Sequence, residues 1–126
     1  MLRSLEQERA RFSWDCVNGV KALKDEDIEE KYSSYVKRAP ALILTNGLGN
    51  TLAFYRSKDE KAYKLLYEHI NGWFKKKCHI NQDVIEWLIS ENTSSLDIFR
   101  VTKEILALLS WMKRFAEAEL KGGESE

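Results

Sequence analysis

The sequence predicts an all-α fold, a single compact helical bundle of about five to seven helices with long first and last members. Three observations predict it. The chain of 126 residues holds one proline and six glycines, too few for a sheet protein rich in turns. Glu, Lys, Leu and Ala, which lose least on entering a helix, are abundant. Apolar residues recur at steps of three and four rather than alternating. A chain of this length fits one domain, here residues 1–120. It buries roughly two thirds of the surface its unfolded form exposes, so its core needs neither disulfide nor metal.

The elements follow in order. Ser4 is placed to cap a helix over residues 4–24, whose apolar stripe runs through Leu5, Phe12, Cys16, Val20 and Leu23. Asp25 to Asp27 breaks the pattern and caps the next helix, in which Ile28, Tyr32, Tyr35 and Val36 keep helical spacing up to Pro40. The Pro40 ring would clash with the Val36 carbonyl, so a kink or a restart is expected there. Two short segments follow, over residues 40–45 and 48–56. Tyr63, Leu66, Tyr67, Ile70, Trp73 and Phe74 form a clear stripe that ends in Lys75-Lys76-Lys77, where positive charge suits a helix C-terminus. A shorter helix runs from 81 or 82 to 89, a polar loop covers 90–95, and a long closing helix spans 96–120. Residues 121–126 are expected to fray as a disordered tail.

Few catalytic or ligand-binding patterns survive inspection. TNGLGN, residues 45–50, lacks the third glycine of a dinucleotide fingerprint and the lysine of a phosphate loop. It reads instead as a turn, with Asn46-Gly47 supplying a left-handed conformation between helices. His69 and His79 are ten residues apart, Cys16 and Cys78 are remote from one another, and no pair shows the short step that preorganises zinc. The histidines read as surface or helix-end residues and the cysteines as core or half-buried thiols. No catalytic residue, cofactor or metal is therefore expected, and the four tryptophans read as core or interface anchors. The longest apolar run, residues 105–112, is far too short to span a bilayer, and the N-terminus has no apolar signal segment, which points to a cytoplasmic protein without a membrane partner.

Charge distribution says more than charge total. Basic and acidic residues number 20 each, so no global field draws the chain to nucleic acid. Between Lys31 and His79, however, ten basic residues face three acidic ones, and the compensating acids lie in 25–30 and from Glu117 onward. Such a polarised molecule could hold an RNA backbone on one surface and stack on a copy of itself through others, or it could simply carry solvated helix faces.

Three stretches, taken in order, resemble the small all-helical subunit of the type III-B CRISPR effector, the Cmr complex. They are EQERARFSWDCV at 6–17, EEKYSSYVKRAPALILTNGLGNTLAFYRSK at 29–58, and TKEILALLSWMKRFAEAEL at 102–120. The middle stretch is the most specific; residues 71–95 carry no signature. The resemblance implies a non-catalytic subunit that stacks with neighbouring copies of itself into a helical filament. That filament runs beside the backbone subunits holding the CRISPR RNA and lines the groove for target RNA, with nuclease activity left to other subunits. It places phosphate contacts at Lys37, Arg38, Arg56 and Lys58, with Lys113 and Arg114 as further candidates. Pro40, Asn46, Gly47, Leu52, Phe54, Thr102, Glu104 and Trp111 would be scaffold. A helical protein–protein adaptor without RNA binding, and the related type III-A small subunit, are the alternatives.

Overall fold

The structure, a computed structural model, describes residues 4–122. Among the described residues there are six helices and no strand: α1 Leu5–Lys21, α2 Glu26–Asn46, α3 Leu48–Ser57, α4 Lys61–Cys78, α5 Val84–Leu88 and α6 Ser95–Glu119. Their starts are chemically marked. Ser4 and Gln7 form a reciprocal capping box on α1, the Asp25 carboxylate accepts from the Asp27 and Ile28 N–H groups, and Ser94 accepts from Asp97 N–H. Each cap satisfies N–H groups that the first helical turn leaves without partners.

Pro40 corrects one expectation. It lies inside α2, which runs unbroken to Asn46, so residues 40–45 are a continuation and not a separate segment. Proline in a helix interior removes a hydrogen bond and crowds the preceding turn, at a cost of roughly 3 kcal/mol. Tertiary packing offsets it: Tyr32, Val36, Ala39 and Ile43 form an almost fully buried stripe, and α2 packs against both α4 and α6.

Gly47 makes the corner that ends α2. Its N–H donates to the Ile43 carbonyl at 2.8 Å, and its own carbonyl accepts from Thr51 N–H at 3.2 Å and the Thr51 hydroxyl at 2.9 Å. One residue thus closes one helix and opens the next. Its φ of 87° and ψ of 158° lie in a region open almost only to glycine, extended in ψ rather than the left-handed helical conformation expected from Asn-Gly. A Cβ there would meet nothing within 4 Å, so the requirement for glycine is purely one of backbone conformation.

Cross-helix contacts fix the layout. Arg9 with Glu104, Ser13 with Leu108 and Lys21 with Glu119 run α1 parallel to α6. The short link after α1 sends α2 back, and its start meets the end of α6, where Lys121 N–H donates to Glu29 at 2.9 Å. Of the tail expected from 121 onward, Lys121 and Gly122 are described and lie against Glu29 and Glu30; residues 123–126 fall outside the described residues. Tyr35 beside Tyr63 and Tyr32 beside His69 make α4 antiparallel to α2. The core between these helices is centred on Trp73, Tyr32, Tyr55, Phe74, Leu108 and Met112.

Candidate nucleic-acid interface

Arg38 and Lys58 lie against one aromatic cluster. Arg38 projects from the exposed side of α2 with its guanidinium 5.4 Å from the Tyr35 ring centroid, and Lys58, just past the end of α3, puts its ammonium 4.9 Å from the Phe54 ring. The rings form one cluster. Tyr35 stacks on Tyr63 at 3.8 Å, and Phe54 meets Tyr63 edge-on at 5.6 Å. Cations over aromatic faces are attracted by the ring quadrupole and stay oriented without losing their charge. Between α2 and α3 lie two adjoining cavities: about 140 Å³ lined by Tyr35, Arg38 and Tyr55, and about 340 Å³ lined by Asn46, Asn50 and Thr51. Leu42 and Phe54 border both, so they form one groove.

The other sequence-predicted cations lie elsewhere. Arg56 points to the corner of α3, α4 and α5, where its Nη1 is 3.3 Å from the Asp83 carboxylate and its guanidinium lies 5.6 Å from the Tyr67 ring. Asp83 also accepts from the Tyr67 hydroxyl at 2.7 Å and caps α5, so this cluster ties three helices together. Arg38 lies nine residues beyond Glu29, about two and a half turns, and projects from the side of α2 away from the Glu29 contact with α6's end. Lys37 is half-buried on α2, and Lys113 and Arg114 are exposed on α6. Sequence proximity therefore grouped residues that three different surfaces share.

The residues carrying the family-like motifs hold the helices in place. The Glu104 carboxylate accepts from Arg9 Nε and Nη2, both at 2.8 Å, and from Trp73 Nε1 at 3.0 Å, joining α1, α4 and α6. Burial pushes its pKa up, but hydrogen bonds from Arg9 and Trp73 and the charges of Arg9 and Lys77 outweigh that and hold it below its ordinary value. Trp111 donates to Glu6 at 3.3 Å, and Thr102 donates to the Ile98 carbonyl of its own helix. His69 is no fully exposed surface residue: it is half-buried against Tyr32, whose hydroxyl oxygen is 2.6 Å from Nδ1. Burial pushes its pKa down to about 4, and Tyr32 stays protonated because its own pKa is raised well above 10 by burial, so a neutral hydroxyl meets a neutral imidazole. Cys16 is buried and its thiol is pushed up to about 12 by the same cause, an inert thiol.

Sequence reasoning missed the aromatic half of the groove. Tyr35, Arg38 and Leu42 recur at steps of three and four on the side of α2 away from its buried stripe, a second stripe that the sequence contains but that acquires meaning only when α3 lies against it. Among the described residues no three His, Cys, Asp or Glu side chains gather to hold a metal, and no helix is long and apolar enough to cross a membrane.

Comparison with known proteins places these features. The family model described as CRISPR-associated protein (Cas_Cmr5) matches residues 5–119. The chain is 29% identical over 92 residues, 70% of this chain and 74% of the other, to the CRISPR system Cmr subunit Cmr5 of Thermus thermophilus. It is also similar to the X-ray crystal structure of a CRISPR-associated Cmr5 family protein from the same organism. That likeness has a TM-score of 0.73 at 28% identity, covering 94% of this chain and 98% of that one.

Proposed function

The chain belongs to the CRISPR-associated Cmr5 family, the small subunits of type III-B Cmr complexes, and from that membership we propose that it is a non-catalytic subunit that helps hold target RNA. It works in the cytoplasm as one domain over residues 1–120, beside the backbone subunits that carry the CRISPR RNA. The observation that carries the RNA role is that Arg38 lines the groove while Lys58 lies over Phe54, which borders it, both within the stretch that most resembles the family. Phosphate contacts read no sequence, as a subunit serving any guide requires. Lys37 on α2 and Lys113 and Arg114 on α6 extend the basic surface, and Arg56 contributes less because Asp83 already engages it.

Stacking on neighbouring copies is the second part of the proposal. Ile89, Leu96 and Phe99 are exposed where α5 leads into α6, Ile89 by 78%. Apolar side chains gathered at one end of a bundle suit an end-to-end contact.

The test of the RNA role is the salt dependence of binding to a single-stranded target. Each phosphate contact contributes a slope of roughly 0.7 in log K against log salt. Replacing Arg38 and Lys58 together by Gln is expected to reduce the slope by about 1.4. An unchanged slope in the double variant, and in Lys37→Gln with Arg38→Gln, would remove these residues from the interface. A protein adaptor without RNA binding would show no salt-dependent association at all.

A further inference from the structure

Tyr55 forms part of the floor of the 140 Å³ end of the groove. Its side chain is 1% exposed and its hydroxyl, fully buried, makes no hydrogen bond. A buried polar group without a partner destabilises the fold that contains it, typically by more than any surface contact nearby contributes. This one faces a specific neighbourhood. Arg38 lies close enough for its charge to pull the hydroxyl's pKa down, against the larger upward effect of burial. Beside it, Phe54 is the exposed face of the aromatic cluster at 41%, and two side-chain amides, Asn46 and Asn50, line the adjoining cavity.

We propose that the α2–α3 groove is a nucleobase site for single-stranded RNA. An unpaired base stacks on Phe54, a carbonyl on its edge accepts a hydrogen bond from the Tyr55 hydroxyl, and the amides of Asn46 and Asn50 meet the rest of that edge. Arg38, an exposed side chain at the rim, swings outward to a phosphate and opens the way to Tyr55, while Lys58 takes the neighbouring phosphate. The parts suit this ligand better than a peptide. Two cations beside the groove complement a polyanion, the exposed Phe54 ring offers a face on which a planar base can stack, and amides with a lone hydroxyl donor match the edge of a base. The proposal rests on the RNA-holding reading above and adds that the groove binds bases as well as backbone.

Binding of the full chain to two fluorescent probes of equal length tests it: oligouridylate, and the corresponding abasic ribose-phosphate oligomer, both at low salt. Stacking predicts that oligouridylate binds about 5- to 150-fold more tightly than the abasic probe. Phe54→Leu should remove most of that difference and leave the abasic affinity unchanged. Tyr55→Phe carries a signature that a structural role would not produce. It should weaken oligouridylate binding by about 2- to 10-fold while the melting temperature of the free protein holds or rises, because a buried unpaired hydroxyl is gone. Equal, salt-dependent affinity for both probes would overturn the base site and leave the phosphate role intact. A Phe54→Leu variant weakened equally toward both probes would also overturn it. If neither probe binds, the RNA reading itself fails, the base site fails with it, and the groove is left to a protein neighbour.

Discussion

Removing the Glu104 carboxylate should cost this fold more than any other single change to a charged side chain. Glu104 and Arg9 each keep only 15% of their side-chain surface exposed, and the pair is bidentate with both distances at 2.8 Å. In Glu104→Ala the Arg9 guanidinium loses two acceptors in a half-buried position, and Trp73 Nε1, on a side chain that is almost wholly buried, loses its only one. Breaking a buried ion pair from one side costs about 3–5 kcal/mol. Arg9 retains a 2.8 Å contact to the exposed Glu6, which places the expected loss near the lower end, about 3 kcal/mol. For a chain of this size that corresponds to a melting temperature lower by roughly 10 °C. Urea unfolding followed by tryptophan fluorescence measures it. Arg9→Met should cost a similar amount alone, yet add little to Glu104→Ala, since the second change removes the charge that the first left unpaired. A loss under about 1 kcal/mol for Glu104→Ala, or full additivity in the double variant, would refute the view that this network joins the three helices.

Three further outcomes follow from the same structure. His69 is neutral in the fold with a pKa of about 4 against an ordinary 6.5, so protonation favours the unfolded chain. Stability is full above pH 6.5 and falls through that window by about 3 kcal/mol as pH drops to 4, the same direction in which protonation of Glu104 acts below its ordinary 4.5. Thermal melts across pH 4–7 check this, and His69→Phe should flatten the upper part of the curve. Gly47→Ala forces a side chain onto a φ of 87° and should cost about 1–3 kcal/mol in denaturant titrations despite the open space around it. Pro40→Ala restores an N–H inside α2 and should stabilise the chain by about 1–2 kcal/mol, less than the full helix penalty because the unfolded chain gains freedom.

Much of the architecture is legible in the sequence because its signals are local. Ser4 and Asp25 mark helix starts through their own side chains, and the stripe from Tyr63 to Phe74 needs only helical periodicity to be seen. Where the reading departs from the structure, a contact distant in sequence decides. Pro40 breaks an isolated helix, but here Val36, Ala39 and Ile43 are pinned on two sides by α4 and α6. His69 is polar by composition, and its burial depends on Tyr32, which comes from another helix. Basic residues of the middle segment are visible as a count, but nothing local reveals that Arg56 meets Asp83, 27 positions away, while Arg38 and Lys58 converge on Phe54 and its neighbours. The Tyr55 hydroxyl is the extreme case. A missing partner is a property of the packed core, and no pattern in the chain announces it.

The measurement that bears most directly on the RNA-holding role is photo-crosslinking of 4-thiouridine-bearing target RNA in the ribonucleoprotein purified from native cells, with the attachment sites mapped by mass spectrometry. The chain is expected to co-purify with backbone subunits and CRISPR-repeat-derived RNA, and to carry crosslinks on peptides of α2 and α3 around Arg38, Phe54 and Lys58. A complex that contains the chain and binds its target, yet shows no crosslink to it, would contradict the RNA-holding role.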